Sequence, residues 1–103
     1  MENELNLEVM DNTSADAEVI KFYLNDEHFT EIRVFLENED YAMAKDATKG
    51  LYLLAMQLRL FGLYEALLEI YEDLDAEFYK DVIGHYEDMF EEYSKLKEVY
   101  TNV

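Results

Sequence analysis

The stretch that decides the fold is Asp40–Leu58, DYAMAKDATKGLYLLAMQL. Apolar and small residues recur in it at spacings of three and four, which predicts a helix with one side in a core. That side contains Tyr41, Ala44, Thr48, Leu51, Ala55 and Leu58. The other side contains Ala42, Met43, Asp46, Lys49, Gly50, Leu53 and Gln57. Because a glycine inside a helix costs about 1 kcal/mol relative to alanine, Gly50 predicts the close approach of another group to this second side.

The composition of the whole chain favours helices joined by short connections. The chain has 103 residues, enough for one domain with a core of ordinary size, and half of its residues are hydrophobic. It contains no proline and three glycines, which argues against a β-sandwich or barrel. It also contains no cysteine, which excludes disulfides and thiolate chemistry. We therefore predict an all-α fold.

We expect the central helix to begin after a capping Asp40 and to end near Arg59. Amphipathic spacing predicts further helices on both sides of it. The others are expected at about Ser14–Leu24, Glu27–Glu37, Leu60–Asp73 and Asp75–Tyr100. Ser14 is the predicted cap of the first helix, and Asn25-Asp26 its break. For these four helices in chain order, the residues predicted to face the core are Val19, Ile20, Tyr23 and Leu24; Phe29, Ile32, Phe35 and Leu36; Leu63, Leu67, Ile70 and Tyr71; and Phe78, Val82, Tyr86, Met89, Tyr93, Leu96 and Tyr100.

Short connections make neighbouring long helices antiparallel. The last four helices then form an antiparallel up-down-up-down four-helix bundle, and the short N-terminal helix is an additional cover. We predict a flexible N-terminal segment at residues 1–13 and one helical bundle domain at residues 14–103.

The Lys49-Gly50 pair, followed by spaced apolar residues in the next helix, resembles a known family. Those apolar residues are Leu60, Leu63, Tyr64 and Leu67. From about Glu27 to Tyr100 the chain resembles histidine phosphotransfer (HPt) domains, which carry His-x-x-Lys-Gly on a bundle helix. In this alignment Asp46 occupies the position of the phosphorylated histidine, and Met56 that of a later small residue. The resemblance implies a four-helix bundle that docks a partner of two-component signalling, in a member that lacks the catalytic residue.

The implied function is an HPt-like protein-interaction module of a phosphorelay that does not carry phosphate and so is not an enzyme. Its partner would be the receiver domain of a response regulator or a histidine kinase. Asp46 would weakly imitate a phosphorylated side chain, and Lys49 would supply specificity. The expected partner-binding residues are Ala42, Met43, Asp46, Lys49, Gly50, Leu53 and Gln57.

Two alternatives belong to other functional classes. One is an active histidine phosphotransferase that uses His85, or with less support His28, although neither is followed by lysine and glycine at the family's spacing. The other is an acidic structural or scaffold bundle. We expect His28 on the surface, and His85 inside a helix as either a helix-packing or a half-exposed residue. We expect neither a cofactor nor a metal site, because the closest spacing to a bundle metal motif is a lone Asp81 and His85 pair.

The charge balance bears on partners and location. With 25 acidic and 8 basic residues the net charge is −17, which repels nucleic acid and anionic membranes. The sequence has neither a long apolar run nor a recognisable secretory signal, so a cytoplasmic location is the expectation. Both a monomer and a homodimer are compatible with the long last helix.

Overall fold

A computed structural model describes residues 13–101, with side chains from Ala17 onward. This part of the chain consists of helices and short connections and contains no β-strand. The helices are α1 (Thr13–Leu24), α2 (His28–Glu37), α3 (Tyr41–Gln57), α4 (Phe61–Asp75) and α5 (Tyr79–Thr101). Helices α2, α3 and α4 each pack on the next helix along the chain, while α1 and α2 also contact α5. The result is an all-helical bundle.

The connections after α2, α3 and α4 share one backbone design. Each places a non-glycine residue in the left-handed region, at Glu39 (φ 57°), Arg59 (φ 63°) and Glu77 (φ 63°). The residue after it donates its backbone N–H five positions back, as from Asp40 to the Phe35 carbonyl at 2.8 Å. This pairing is a Schellman motif, which satisfies carbonyls at a helix end that would otherwise lack donors.

The next helix begins directly after each of these motifs. The Asp40 carboxylate accepts a hydrogen bond from the Met43 N–H at 3.3 Å and so caps α3 as predicted. Leu60 occupies the corresponding position before α4 without a side-chain cap. Three-residue connections therefore both end one helix and start the next.

The core lies along the inner sides of the helices. Most of the predicted inward residues are buried, and Phe29, Ile32, Leu63, Leu67, Ile70 and Met89 are fully enclosed. On α3 the buried residues are Ala44, Thr48, Leu51 and Ala55, as the spacing predicted. The other two predicted members of that stripe, Tyr41 and Leu58, are half-buried.

Three tyrosine hydroxyls tie the α1–α2 region to the rest of the bundle. Tyr93 donates to the Leu24 carbonyl at 2.7 Å, Tyr86 to Phe29 at 2.9 Å, and Tyr23 to Leu51 at 2.6 Å. The rings of Phe29 and Tyr93 also stack, with centroids 4.2 Å apart. Burial raises the pKa of Tyr23, so its hydroxyl keeps its proton and remains a donor.

Several sequence-based boundaries were wrong by a few residues. α4 continues to Asp75 rather than Asp73, and α5 begins at Tyr79 rather than Asp75, because the Schellman motif at 76–78 separates them. α3 ends at Gln57, before the motif that contains Arg59. Thr13 already belongs to α1, so Ser14 lies inside the helix and is not its cap. The remaining residues of the predicted flexible segment, 1–12, lie outside the described part of the chain.

Six predicted inward residues are also corrected. Val19 is 51% exposed, because α1 buries Ile20, Tyr23 and Leu24 and turns Val19 outward. Phe78 is 60% exposed, because it belongs to the connection before α5 rather than to the helix. Four more are only half-buried: Phe35, Tyr71, Leu96 and Tyr100.

We expect Tyr93→Phe to lower the free energy of unfolding by about 1–3 kcal/mol, because the Leu24 carbonyl would lose its hydrogen-bond donor inside the protein. Tyr64→Phe is the control, since the Tyr64 hydroxyl has no hydrogen-bond partner among the described residues. Urea unfolding followed by circular dichroism measures both variants. Equal stability of the two would show that the Tyr93 hydroxyl does not anchor α1.

Candidate functional site

The side of α3 that faces away from the core is open along its length. We call it the α3 outer surface and define it by the predicted partner-binding residues. All of them are exposed: Ala42, Met43, Asp46, Lys49, Gly50, Leu53 and Gln57. Met43 and Leu53 are 48% and 45% exposed, so the surface includes apolar area that is open to solvent. The structure thus brings these residues onto one surface.

Gly50 lies in open space on this surface. A Cβ atom added to it would meet nothing within 4 Å. The expected close approach of another group is therefore absent among the described residues, and packing within the bundle does not explain the glycine. Its backbone is instead left accessible from outside.

The two charged residues of the α3 outer surface do not pair with each other. Among the described residues the ion pairs involve other groups, and Asp46 and Lys49 do not form one with each other. Lys45, on the neighbouring side of the helix, binds the Asp75 carboxylate at 2.7 Å and so joins α3 to the end of α4. Lys49 remains exposed and available to an acidic group.

The α1–α2 connection lies beside Asp46 and Gly50, which the sequence analysis did not foresee. Asp26 and His28 line a small cleft of about 190 Å³ together with Asp46, Gly50 and Leu54. Asp26 accepts hydrogen bonds from the backbone N–H of His28 at 2.8 Å and pairs with its ring Nδ1 at 2.7 Å. An aspartate two residues before a helix start is a recognisable capping signal, but it does not reveal that the cap faces α3.

Both histidines pair with carboxylates. His28 is exposed as predicted, and the hydrogen bond with Asp26 raises its pKa. His85 is half-exposed as predicted, and its Nδ1 pairs with Asp73 of α4. That hydrogen bond raises the pKa of His85, and the nearby charges of Glu69 and Asp81 raise it further. Neither pairing was predicted from the sequence.

Other kinds of site find no support in the described part of the chain. Residues 13–101 hold no group of three or more His, Cys, Asp or Glu side chains placed to bind a metal ion. Over the same residues, no helix combines the length and the apolar character that crossing a membrane requires. Comparison with protein-family models, with curated proteins and with solved structures finds no match for this chain.

We expect Gly50→Ala and Gly84→Ala each to raise the free energy of unfolding by about 0.5–1 kcal/mol, because both are exposed glycines inside helices with room for a methyl group. At Gly62 the added Cβ would lie 3.0 Å from the Glu92 carboxylate, so the gain there is smaller. Thermal unfolding of the three variants tests the order. A loss of stability at Gly50 would reveal a close neighbour at that position.

The His85–Asp73 pair predicts a pH-dependent contribution to stability. Because the folded-state pKa of His85 is raised above the ordinary value of 6.5, the contribution is complete below about pH 6.5 and is lost as pH rises through the folded-state pKa. The difference in unfolding free energy between wild type and His85→Gln should therefore be larger at about pH 6 than at about pH 8.5. Measuring the difference removes the pH effects of titratable groups that do not interact with His85. A difference that grows with pH would contradict the pairing.

Proposed function

We propose that this chain is an HPt-like interaction module of two-component signalling. It binds the receiver domain of a response regulator, or a histidine kinase, through the α3 outer surface and carries no phosphoryl group. The single observation that carries the proposal is the exposure of Asp46, Lys49 and Gly50 together on one helix surface. These are the positions that the family resemblance assigns to partner docking.

The composition of the surface supports docking. Met43 and Leu53 supply apolar area on either side of the charged pair. Gly50 has no side chain to hold a partner away, and nothing else in the described chain occupies the space above it. Lys49 would pair with a carboxylate of the partner, while the Asp46 charge would weakly imitate a phosphorylated side chain.

The surroundings of the two histidines favour a module without phosphoryl carriage. A phosphoryl acceptor needs a neutral, accessible ring nitrogen and a nearby cation to balance the transferred charge. Carboxylates instead surround His28, with Asp26 at Nδ1 and Glu31 3.7 Å from Nε2. His85 pairs with Asp73 through Nδ1, and the other charges that act on its ring are those of Glu69 and Asp81, so none of them would balance a transferred phosphoryl charge.

The proposal includes an antiparallel up-down-up-down course for α2 to α5. Three-residue connections and the packing of consecutive helices support this course, because such short connections leave no length for a crossover. A partner of this class also implies a cytoplasmic location for the module.

The test mixes the protein with receiver domains from the same cell that have been phosphorylated with radiolabelled phosphate, and measures binding and label transfer separately. We expect binding without transfer. Gly50→Glu should weaken binding at least tenfold, because the new side chain would occupy the contact surface. Gly84→Glu is the matched control, since Gly84 is an equally open glycine inside α5.

A second matched pair tests the charge. Lys49→Ala should weaken binding, whereas Lys95→Ala, which removes one exposed lysine from α5, should leave it unchanged. Label that moves to the protein and is lost in His85→Ala would establish the alternative of an active phosphotransferase. The absence of binding to any receiver or kinase would favour a scaffold role.

A further inference from the structure

A second exposed surface lies beside the C-terminal end of α3, next to α1, and shares Gln57 with the α3 outer surface. A groove of about 600 Å³ runs between the C-terminal half of α1, the start of α2 and the end of α3. Its apolar wall and floor contain Val19, Phe22, Tyr23, Leu54 and Leu58. Phe22 is 83% exposed, the largest exposed fraction among the large hydrophobic side chains of the described chain.

The exposed apolar residues of this groove do little for the bundle itself. The core side of α1 consists of Ile20, Tyr23 and Leu24, which are at most 7% exposed. Val19 and Phe22 point away from that side, and Leu54 on α3 is 45% exposed across the groove from them. Large apolar side chains that line an open groove, rather than standing singly, are typical of an interaction surface.

Acidic side chains predominate on the polar rim of the groove. Asp26, Glu27 and Glu31 line it, and no lysine or arginine does. His28, the remaining titratable group of the rim, is itself paired with Asp26. The chain as a whole carries a net charge of −17. An acidic rim around apolar walls complements a partner that is apolar on one side and basic along its edges.

We propose that this groove binds an amphipathic, basic helix of a partner protein. The apolar stripe of that helix, with residues at i, i+3 or i+4 and i+7, packs against Val19, Phe22 and Leu54. Its lysines or arginines pair with Glu27 and Glu31. The inference does not depend on the docking of a receiver or kinase to the α3 outer surface.

Two other occupants of the groove would come from this protein itself: a second copy of the chain and residues 1–12. Charge favours the basic partner helix over both. A second copy would bring another acidic rim against the first. Residues 1–12 contain Glu2, Glu4, Glu8 and Asp11 and no basic residue, so they would bring like charge to the groove as well. Like charges placed together across an interface oppose binding, whereas a basic helix gains from the same field.

The test uses a fluorescent peptide of about 15 residues, four helical turns, with leucine at helical spacing and lysine elsewhere. Its fluorescence anisotropy is followed as the full-length protein is added. A peptide of the same composition with scrambled leucines, and one with glutamate in place of lysine, serve as probe controls. We expect saturable binding of the first peptide, at least tenfold tighter than that of either control.

Matched variants separate the groove from general attraction between opposite charges. Phe22→Ala should weaken binding at least tenfold, while Phe61→Ala, at a 54% exposed phenylalanine that does not line the groove, should leave it within twofold. The pair Glu27→Gln with Glu31→Gln removes two charges from the rim. The pair Glu87→Gln with Glu91→Gln removes two exposed charges at the same spacing on α5. Only the rim pair should weaken binding several-fold and reduce its salt dependence.

Three other results would each contradict the proposed binding of a basic helix, and they can be told apart. Equal effects of groove and control variants would overturn the proposal, because binding would then be unspecific attraction. A dimer in sedimentation that dissociates in Phe22→Ala would assign the groove to a second copy. Tighter peptide binding after removal of residues 1–12 would assign it to the chain's own N-terminal segment. Lys49→Ala should not change peptide binding, so this proposal and the one for the α3 outer surface fail independently.

Discussion

The packing of one side of α3 against its neighbours is the constraint on which the rest of the molecule depends. Ala44 and Ala55 are completely buried, and small side chains let facing helices approach closely. Thr48 between them is also buried, and its hydroxyl donates to the Ala44 carbonyl at 2.7 Å, so it needs no polar partner across the helix interface. Because this side of α3 is buried in the core, helical geometry places Asp46, Lys49 and Gly50 on the solvent side of the helix.

Helical periodicity predicted the features of the fold that depend only on residues within one helix. It identified the buried stripe of α3, its exposed side and the Asp40 cap, because each depends on residues within a few positions of one another. It placed the end of α4 and the start of α5 wrongly, since Glu77 enters the left-handed region without being glycine, and no residue type marks that turn. It also missed the cleft between Asp26 and Asp46, which depends on how α2 meets α3 in space.

The two histidine pairs have the same local chemistry but different positions in the bundle. Asp26 and His28 belong to one connection and organise the start of α2, next to the α3 outer surface. Asp73 and His85 join two different helices, α4 and α5. In both cases a carboxylate binds Nδ1 and stabilises the cationic form of the ring. This arrangement suits a structural ion pair and opposes the use of Nδ1 as a nucleophile. The sequence placed both residues on helices, but their partners lie in tertiary contacts or capping geometry.

The exposed Phe22 also has a consequence for the behaviour of the protein in concentrated solution. An apolar side chain that is 83% exposed in an open groove favours self-association of the protein. The net charge of −17 opposes this, because it makes molecules repel one another before their apolar surfaces meet. The isoelectric point of about 4.1 lies well below neutral pH, so the repulsion is strong under ordinary conditions and vanishes in mild acid. The acidity of the surface therefore acts as a colloidal stabiliser for a chain whose described residues leave an apolar groove open.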